Sequence, residues 1–174
     1  KTLEEKFAKH VGAKYAISCN SGTDALLLSL RAMNIGKGDE VITTPFTYFA
    51  TAEVIALTGA KPIFVDINPH TFNINYKLIE KKISRKTRAV IPVHLYGQSC
   101  EIYKIKKVCK EYKIVLIEDC AQSFGAKYHN KFTGTIGDFG CYSFFPTKNL
   151  GCAGDGGMIV TGSLQKAKTL KKLR

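Results

Sequence analysis

At 174 residues, 45% apolar and 23% charged, the chain has material for one domain with a real core and the composition of an ordinary globular protein. No apolar run reaches membrane-spanning length, and the opening Lys1-Thr2-Leu3-Glu4-Glu5 has no signal-peptide core, so the expected location is cytoplasmic. The formal net charge of +12 suits anionic partners. Many of the lysines nevertheless fall on predicted helix faces (Lys104, Lys106, Lys107, Lys110; Lys166, Lys168, Lys171, Lys172), and no RNP motif or zinc finger occurs, which argues against nucleic acid.

In chain order, Leu3 to His10 reads as a short amphipathic helix ending before Gly12. Lys14 to Cys19 is a strand and Ala25 to Met33 a helix. Glu40 to Thr44 is the next strand, and Thr47 to Thr58 a helix closed by Gly59. Lys61 to Asp66 is a strand, Asn75 to Ile83 a helix and Ala89 to Val93 a strand. Glu101 to Tyr112 is a helix leading into a strand at Ile114 to Ile117, which ends at Glu118-Asp119. Phe139 to Phe144 and Gly157 to Thr161 are short strands. Ser163 to Leu173 is a charged helix that stops with the chain, so a longer parent protein or an isolated domain is expected.

Strand and helix alternate throughout, and several strands are continuous apolar runs, as when both faces are buried. The pattern predicts an α/β fold, a three-layer α/β/α sandwich around a mostly parallel sheet. Ligands of such sheets bind beyond the carboxyl ends of the strands. Six cysteines (19, 100, 109, 120, 141 and 152) include no C-x-x-C pair and mostly sit in apolar runs. They read as reduced, buried thiols, not as a disulfide frame or a zinc site.

The candidate site begins at Lys148, which lies between Pro146 and the glycines at 151, 154, 156 and 157. Such surroundings can hold an ammonium out of water, lower its pKa and free the amine as a nucleophile that forms a Schiff base. The plainer reading is a solvated loop lysine. Ser21-Gly22-Thr23 sits between a strand and a helix. It is either a helix cap or a phosphate seat built on the free N–H groups of that helix; the Gly-Lys-Ser/Thr of a Walker loop is absent. Asp119 ends the most apolar strand, where a carboxylate faces the ligand crevice and can keep a pyridinium nitrogen protonated. No His/Asp/Glu cluster is spaced to complete a metal site, so no metal is expected. An aromatic of Phe46-Thr47-Tyr48-Phe49 can stack on a flat cofactor or pack in the core. Gln122 and Ser143 can supply hydrogen bonds. His94 and His129 have no partner pattern for a hydrolase triad.

Taken together, these segments resemble the DegT/DnrJ/EryC1/StrS family of pyridoxal-phosphate-dependent sugar aminotransferases. The matching stretches, in the family's order, are Ser21-Gly22-Thr23-Asp24-Ala25-Leu26, Thr44 to Ala52, Pro92-Val93-His94-Leu95-Tyr96-Gly97, Glu118 to Ala126 and Ser143 to Gly151. The resemblance implies the large domain of a fold-type-I enzyme over residues 1–174, without the family's C-terminal small domain and N-terminal lead-in, and a homodimer when full length. It further implies that Lys148 bonds pyridoxal phosphate and moves protons, that Asp119 partners the ring nitrogen and that Gln122 lies near the ring hydroxyl. Tyr48 is implied as the stacking aromatic, with Gly22, Thr23 and Ser143 as phosphate contacts. The implied reaction moves an amino group from an amino acid, glutamate in much of the family, to a nucleotide-linked keto-sugar for polysaccharide or glycan synthesis. Leu95-Tyr96-Gly97-Gln98 and Phe144 to Lys148 lean toward UDP-linked acetamido sugars. The alternatives are a sugar dehydratase or deoxygenase of the same family, some of which carry histidine at the lysine position, and a basic binding or regulatory module without catalysis.

Overall fold

The structure, a computed structural model, describes residues 2–174. Helix α1 (Thr2–Val11) carries Glu4 and Glu5 in its first turn and Lys9 and His10 in its last, matching the helix dipole at both ends. Strand β1 (Tyr15–Cys19) leads into α2 (Gly22–Ala32). The following elements are β2 (Glu40–Thr43), α3 (Ala50–Leu57), β3 (Lys61–Phe64) and the single-turn α4 (Tyr76–Ile79), which tightens into a 3-10 turn at Glu80–Lys82. Then come β4 (Thr87–Val90), α5 (Ile102–Glu111), β5 (Val115–Asp119), β6 (Lys127–Tyr128), β7 (Lys131–Phe132), β8 (Phe139–Ser143), β9 (Gly157–Thr161) and α6 (Leu164–Leu173).

Seven strands form one sheet in the order β1-β9-β8-β5-β4-β2-β3. Only β9 runs against its neighbours; the β2–β3, β2–β4, β4–β5 and β5–β8 pairs are all parallel. Side chains alternate across this sheet. Ile117, Phe139, Cys141 and Ile159 pack on one side with Leu26, Leu30, Val54 and Leu170 of α2, α3 and α6. Leu116 packs on the other side with Ile79, Ile102 and Ile105 of α4 and α5, where Phe7 and Val11 of α1 also meet Tyr142 and Met158. The expected α/β/α sandwich around a mostly parallel sheet is therefore the observed fold.

Several boundaries differ from the sequence expectations; α2 starts three residues early at Gly22, and β3 stops at Phe64. The third helix starts at Ala50, not Thr47, and leaves Thr47 to Phe49 as a bent approach with Tyr48 and Phe49 exposed. The fourth strand starts at Thr87, and its predicted end continues as a bridge from Val93 to Asp119. The two-residue strands β6 and β7 were not expected; their turn, His129-Asn130, has both residues at positive φ, as a tight hairpin turn requires.

Candidate active site

Strands β1, β8 and β5 run in the same direction, and residues at or just beyond their carboxyl ends line one cavity. Ser21 caps α2, its Oγ accepting from the Asp24 N–H at 2.9 Å. The cap leaves the hydroxyl of Thr23 and the first N–H groups of α2 facing outward. Gly22 is required here by contact: a Cβ on it would lie 2.6 Å from the Cβ of Ser143. Gly157 does the same for the other side of the turn, since its Cβ would fall 2.1 Å from the Ser21 carbonyl oxygen. Two glycines thus press the start of α2 onto the ends of β8 and β9 and bring Gly22, Thr23 and Ser143 into one corner.

Asp119 ends β5 on the α2–α3 side of the sheet and is buried. Its Oδ1 accepts from the Ala121 N–H at 3.1 Å and its Oδ2 from the Thr51 hydroxyl at 2.9 Å. Burial pushes its carboxyl up from the usual aspartate value, and these two hydrogen bonds offset only part of that rise. Opposite lies Lys148, whose Nζ is 6.0 Å from the centre of the Tyr48 ring. Lys148 is half-buried, so it is not sealed from water as the glycine-rich surroundings suggested. Tyr48 is 72% exposed and Phe46 42%, which removes the core-packing reading for these aromatics. Gln122 spends its Oε1 on the Tyr96 N–H at 2.8 Å, so its amide N–H groups are the ones left for a ligand.

All seven residues singled out from sequence, Gly22, Thr23, Tyr48, Asp119, Gln122, Ser143 and Lys148, line a single cavity of about 320 Å³, together with Ser21, Thr47, Thr51 and Asp155. It pairs one amine with one buried acid, an exposed aromatic wall and a helix N-terminus. That set suits a flat, anionic, carbonyl-bearing molecule. Thr51 lies within the stretch Thr44 to Ala52, yet nothing in the sequence gives it a role; only the fold shows its hydroxyl on the acid.

The expectation that no metal cluster forms needs qualification. Among the described residues, His94, Glu118 and Cys120 come together with their ligand atoms within 4.8 Å of one another. Sequence spacing hid this because β4 and β5 adjoin only in the sheet. Glu118 is already full: it accepts from the N–H groups of Gly134, Ile136 and Gly137 and contacts His94 Nε2 at 2.9 Å. His94 Nδ1 accepts from the Cys100 N–H at 3.0 Å, which leaves Nε2 as the donor to Glu118. The histidine that lacked a partner in the sequence is thus a structural link. The cysteine reading holds for residues 100, 109, 120 and 141, but Cys19 is only half-buried and Cys152 is exposed.

A parallel α/β chain that closes an amine and a buried acid around one crevice narrows the class considerably, and its relatives narrow it further. The family model described as the DegT/DnrJ/EryC1/StrS aminotransferase family matches residues 1–174, and the chain belongs to that family. It is 51% identical over its full length to a "pleiotropic regulatory protein" of Geobacillus stearothermophilus, covering 47% of that protein. It is 50% identical over 98% of its length to the UDP-2-acetamido-2-deoxy-3-oxo-D-glucuronate aminotransferase of Pseudomonas aeruginosa, covering 48% of it. Among solved structures, DesV of S. venezuelae, determined "in complex with ketimine intermediate", superposes with a TM-score of 0.97 at 40% identity, over 99% of this chain and 47% of that one. The chain spans about half the length of the curated relatives it matches.

Proposed function

We propose that this chain is the cofactor-binding large domain of a pyridoxal-phosphate-dependent aminotransferase that moves an amino group from an amino acid, glutamate foremost, to a nucleotide-linked keto-sugar. The observation that carries the reading is the single cavity shared by Lys148 and Asp119, with the Tyr48 ring 6.0 Å from the amine. The residues fit the cofactor: an acid for a ring nitrogen, an aromatic for a ring face, amide donors on Gln122, and a capped helix start closed by Ser143 for a phosphate. Pyridoxal phosphate, when bound, supplies a reactive carbonyl and a ring that accepts electron density.

In this assignment Lys148 would hold the cofactor through its amine and would move a proton during amino transfer. Asp119 would hold a proton on the ring nitrogen. Tyr48 would stack on the ring, and Gln122 would donate toward the ring hydroxyl. Gly22 and Thr23 at the start of α2, with Ser143 at the end of β8, would hold the phosphate through N–H and O–H groups. The name of the P. aeruginosa relative supports a UDP-linked acetamido sugar as acceptor. Six free thiols suit a reducing compartment such as the cytoplasm, and the exposed Tyr48 of the cavity lining, with the exposed Phe49 next to it, suits a homodimer that closes over the cavity. A regulatory role is favoured by the name of the G. stearothermophilus relative alone, and the intact cavity weighs against it.

The test is to assay the full-length protein containing this chain against a panel of nucleotide keto-sugars with glutamate as donor. The protein should gain a visible absorption band with pyridoxal phosphate, and borohydride should fix the cofactor on Lys148. Lys148→Ala should lower turnover on the order of a thousandfold or more while still binding the cofactor without a covalent link. A colourless wild-type protein would remove the enzyme reading.

A further inference from the structure

The cavity wall behind Asp119 contains two hydroxyl groups that the assignment above does not use. Thr51 sits in the first turn of α3, is 1% exposed, and donates to Asp119 Oδ2 at 2.9 Å. Thr47 Oγ1 lies 3.2 Å from Thr51 Oγ1. The proton order follows from chemistry: a carboxylate oxygen only accepts, so the one hydroxyl proton of Thr51 goes to Asp119, and Thr51 accepts from Thr47. The result is a directed chain, Thr47 to Thr51 to Asp119. The Ala121 N–H fixes the other carboxylate oxygen at 3.1 Å. Each oxygen is tied once, and Asp119, which lines the cavity, keeps lone pairs to spare.

We infer that Thr51, backed by Thr47, is a positioning residue that fixes the rotamer of Asp119 and keeps its carboxylate charged and turned toward the cavity. This rests on the reading of the cavity as a pyridoxal phosphate site, which it deepens. Burial alone drives Asp119 toward its neutral form, and a neutral acid holds a ring proton poorly. The Thr51 hydroxyl acts against burial, and it is better suited to this than a charged partner because it adds no charge to the site. Thr47 also adjoins Tyr48, so the same short segment sets both the stacking ring and the acid behind it. The titratable groups around Asp119 are Lys148 across the cavity, His94 and Glu118 beneath it, and the thiols of Cys120 and Cys141 on the neighbouring strands. None of these donates a hydrogen bond to its side chain, which leaves the Ala121 N–H and Thr51 as the side-chain carboxylate's donors among the described residues.

The experiment uses the full-length protein, with Thr51→Val to remove the hydroxyl at equal volume, Thr51→Ser to retain it, and Thr47→Val to remove only the outer link. Carboxyl-carbon NMR titration of cofactor-free protein reads Asp119 directly. Thr51→Val should raise the Asp119 titration midpoint by about one pH unit and weaken pyridoxal phosphate binding about tenfold. Thr51→Ser should match wild type, and Thr47→Val should shift the midpoint the same way by less. If Thr51→Val fails to fold, the Thr47→Val titration decides. An Asp119 midpoint that stays unmoved in a folded Thr51→Val or Thr47→Val protein overturns the inference. Failure of wild-type protein to bind pyridoxal phosphate would remove the functional reading while the titration still judged the relay.

Discussion

Asp119 is held where a carboxylate is costly. Burial raises its pKa above the unfolded value, so between the two pKa values the folded chain binds more protons than the unfolded one. Its contribution to folding is therefore favourable below roughly pH 4 and becomes a penalty as pH rises through the folded pKa. Asparagine removes the charge and still fits the local hydrogen bonds, its carbonyl accepting from Ala121 and its amide donating to Thr51. Asp119→Asn should thus raise the melting temperature of the cofactor-free chain at neutral pH by a few degrees, with the gap closing in acid. Calorimetry of both proteins from pH 3 to 8 checks this, and a less stable variant at neutral pH would contradict the account of Asp119. The same change should weaken cofactor binding, since stability and function pull in opposite directions at this residue. Asp119 was readable in the sequence because a charged residue closing an apolar strand has few structural reasons to be there. Thr51 was not, because a threonine in the first turn of a helix looks the same whether or not a carboxylate lies beside it.

At the scale of elements, β5 ends in two acids that point to opposite faces with opposite roles. Asp119 faces the cavity, and Glu118 binds the segment 134–137 to the underside of the sheet through three backbone N–H groups and His94. The sequence singled out Asp119 for the site and gave its neighbour Glu118 no role, since what each face of the strand meets shows only once the strand's neighbours are known. The long apolar runs disclosed the sheet, whereas the hairpin of β6 and β7 escaped because two-residue strands carry no period. Replacing Glu118 by glutamine turns an amide N–H₂ against backbone donors in a buried site. Glu118→Gln should cost about 3 kcal/mol or more in chemical denaturation, with hydrogen exchange at Ile136 and Gly137 accelerating first. Unchanged exchange there would mean the segment is held by its own turns.

For the whole molecule, an open sheet has two edges to protect, and β1 is one of them. At Ser18 the outward N–H donates to Glu4 Oε1 at 2.9 Å, and the outward carbonyl accepts from Arg174 Nη1 at 3.4 Å. Arg174 also reaches Glu4 at 2.6 Å, so α1 on one face and α6 on the other close over the strand between them. Burial opposes the Glu4 charge, but the hydrogen bonds from Ser18 and Arg174 outweigh it and hold the Glu4 pKa below its usual value. A depressed acid stabilises the fold above its unfolded pKa, and that contribution is lost as pH falls through the folded one. Glu4→Gln should therefore lower stability at neutral pH by about 1 kcal/mol, and the two proteins should converge as pH drops below the ordinary glutamate range. Taking the difference between them cancels Asp119, whose contribution has the opposite slope. Parallel stability curves at every pH would mean that Glu4 serves the edge only as a neutral hydrogen-bond acceptor, and that the packing of α1 and α6, not the charge between them, closes this side of the sheet.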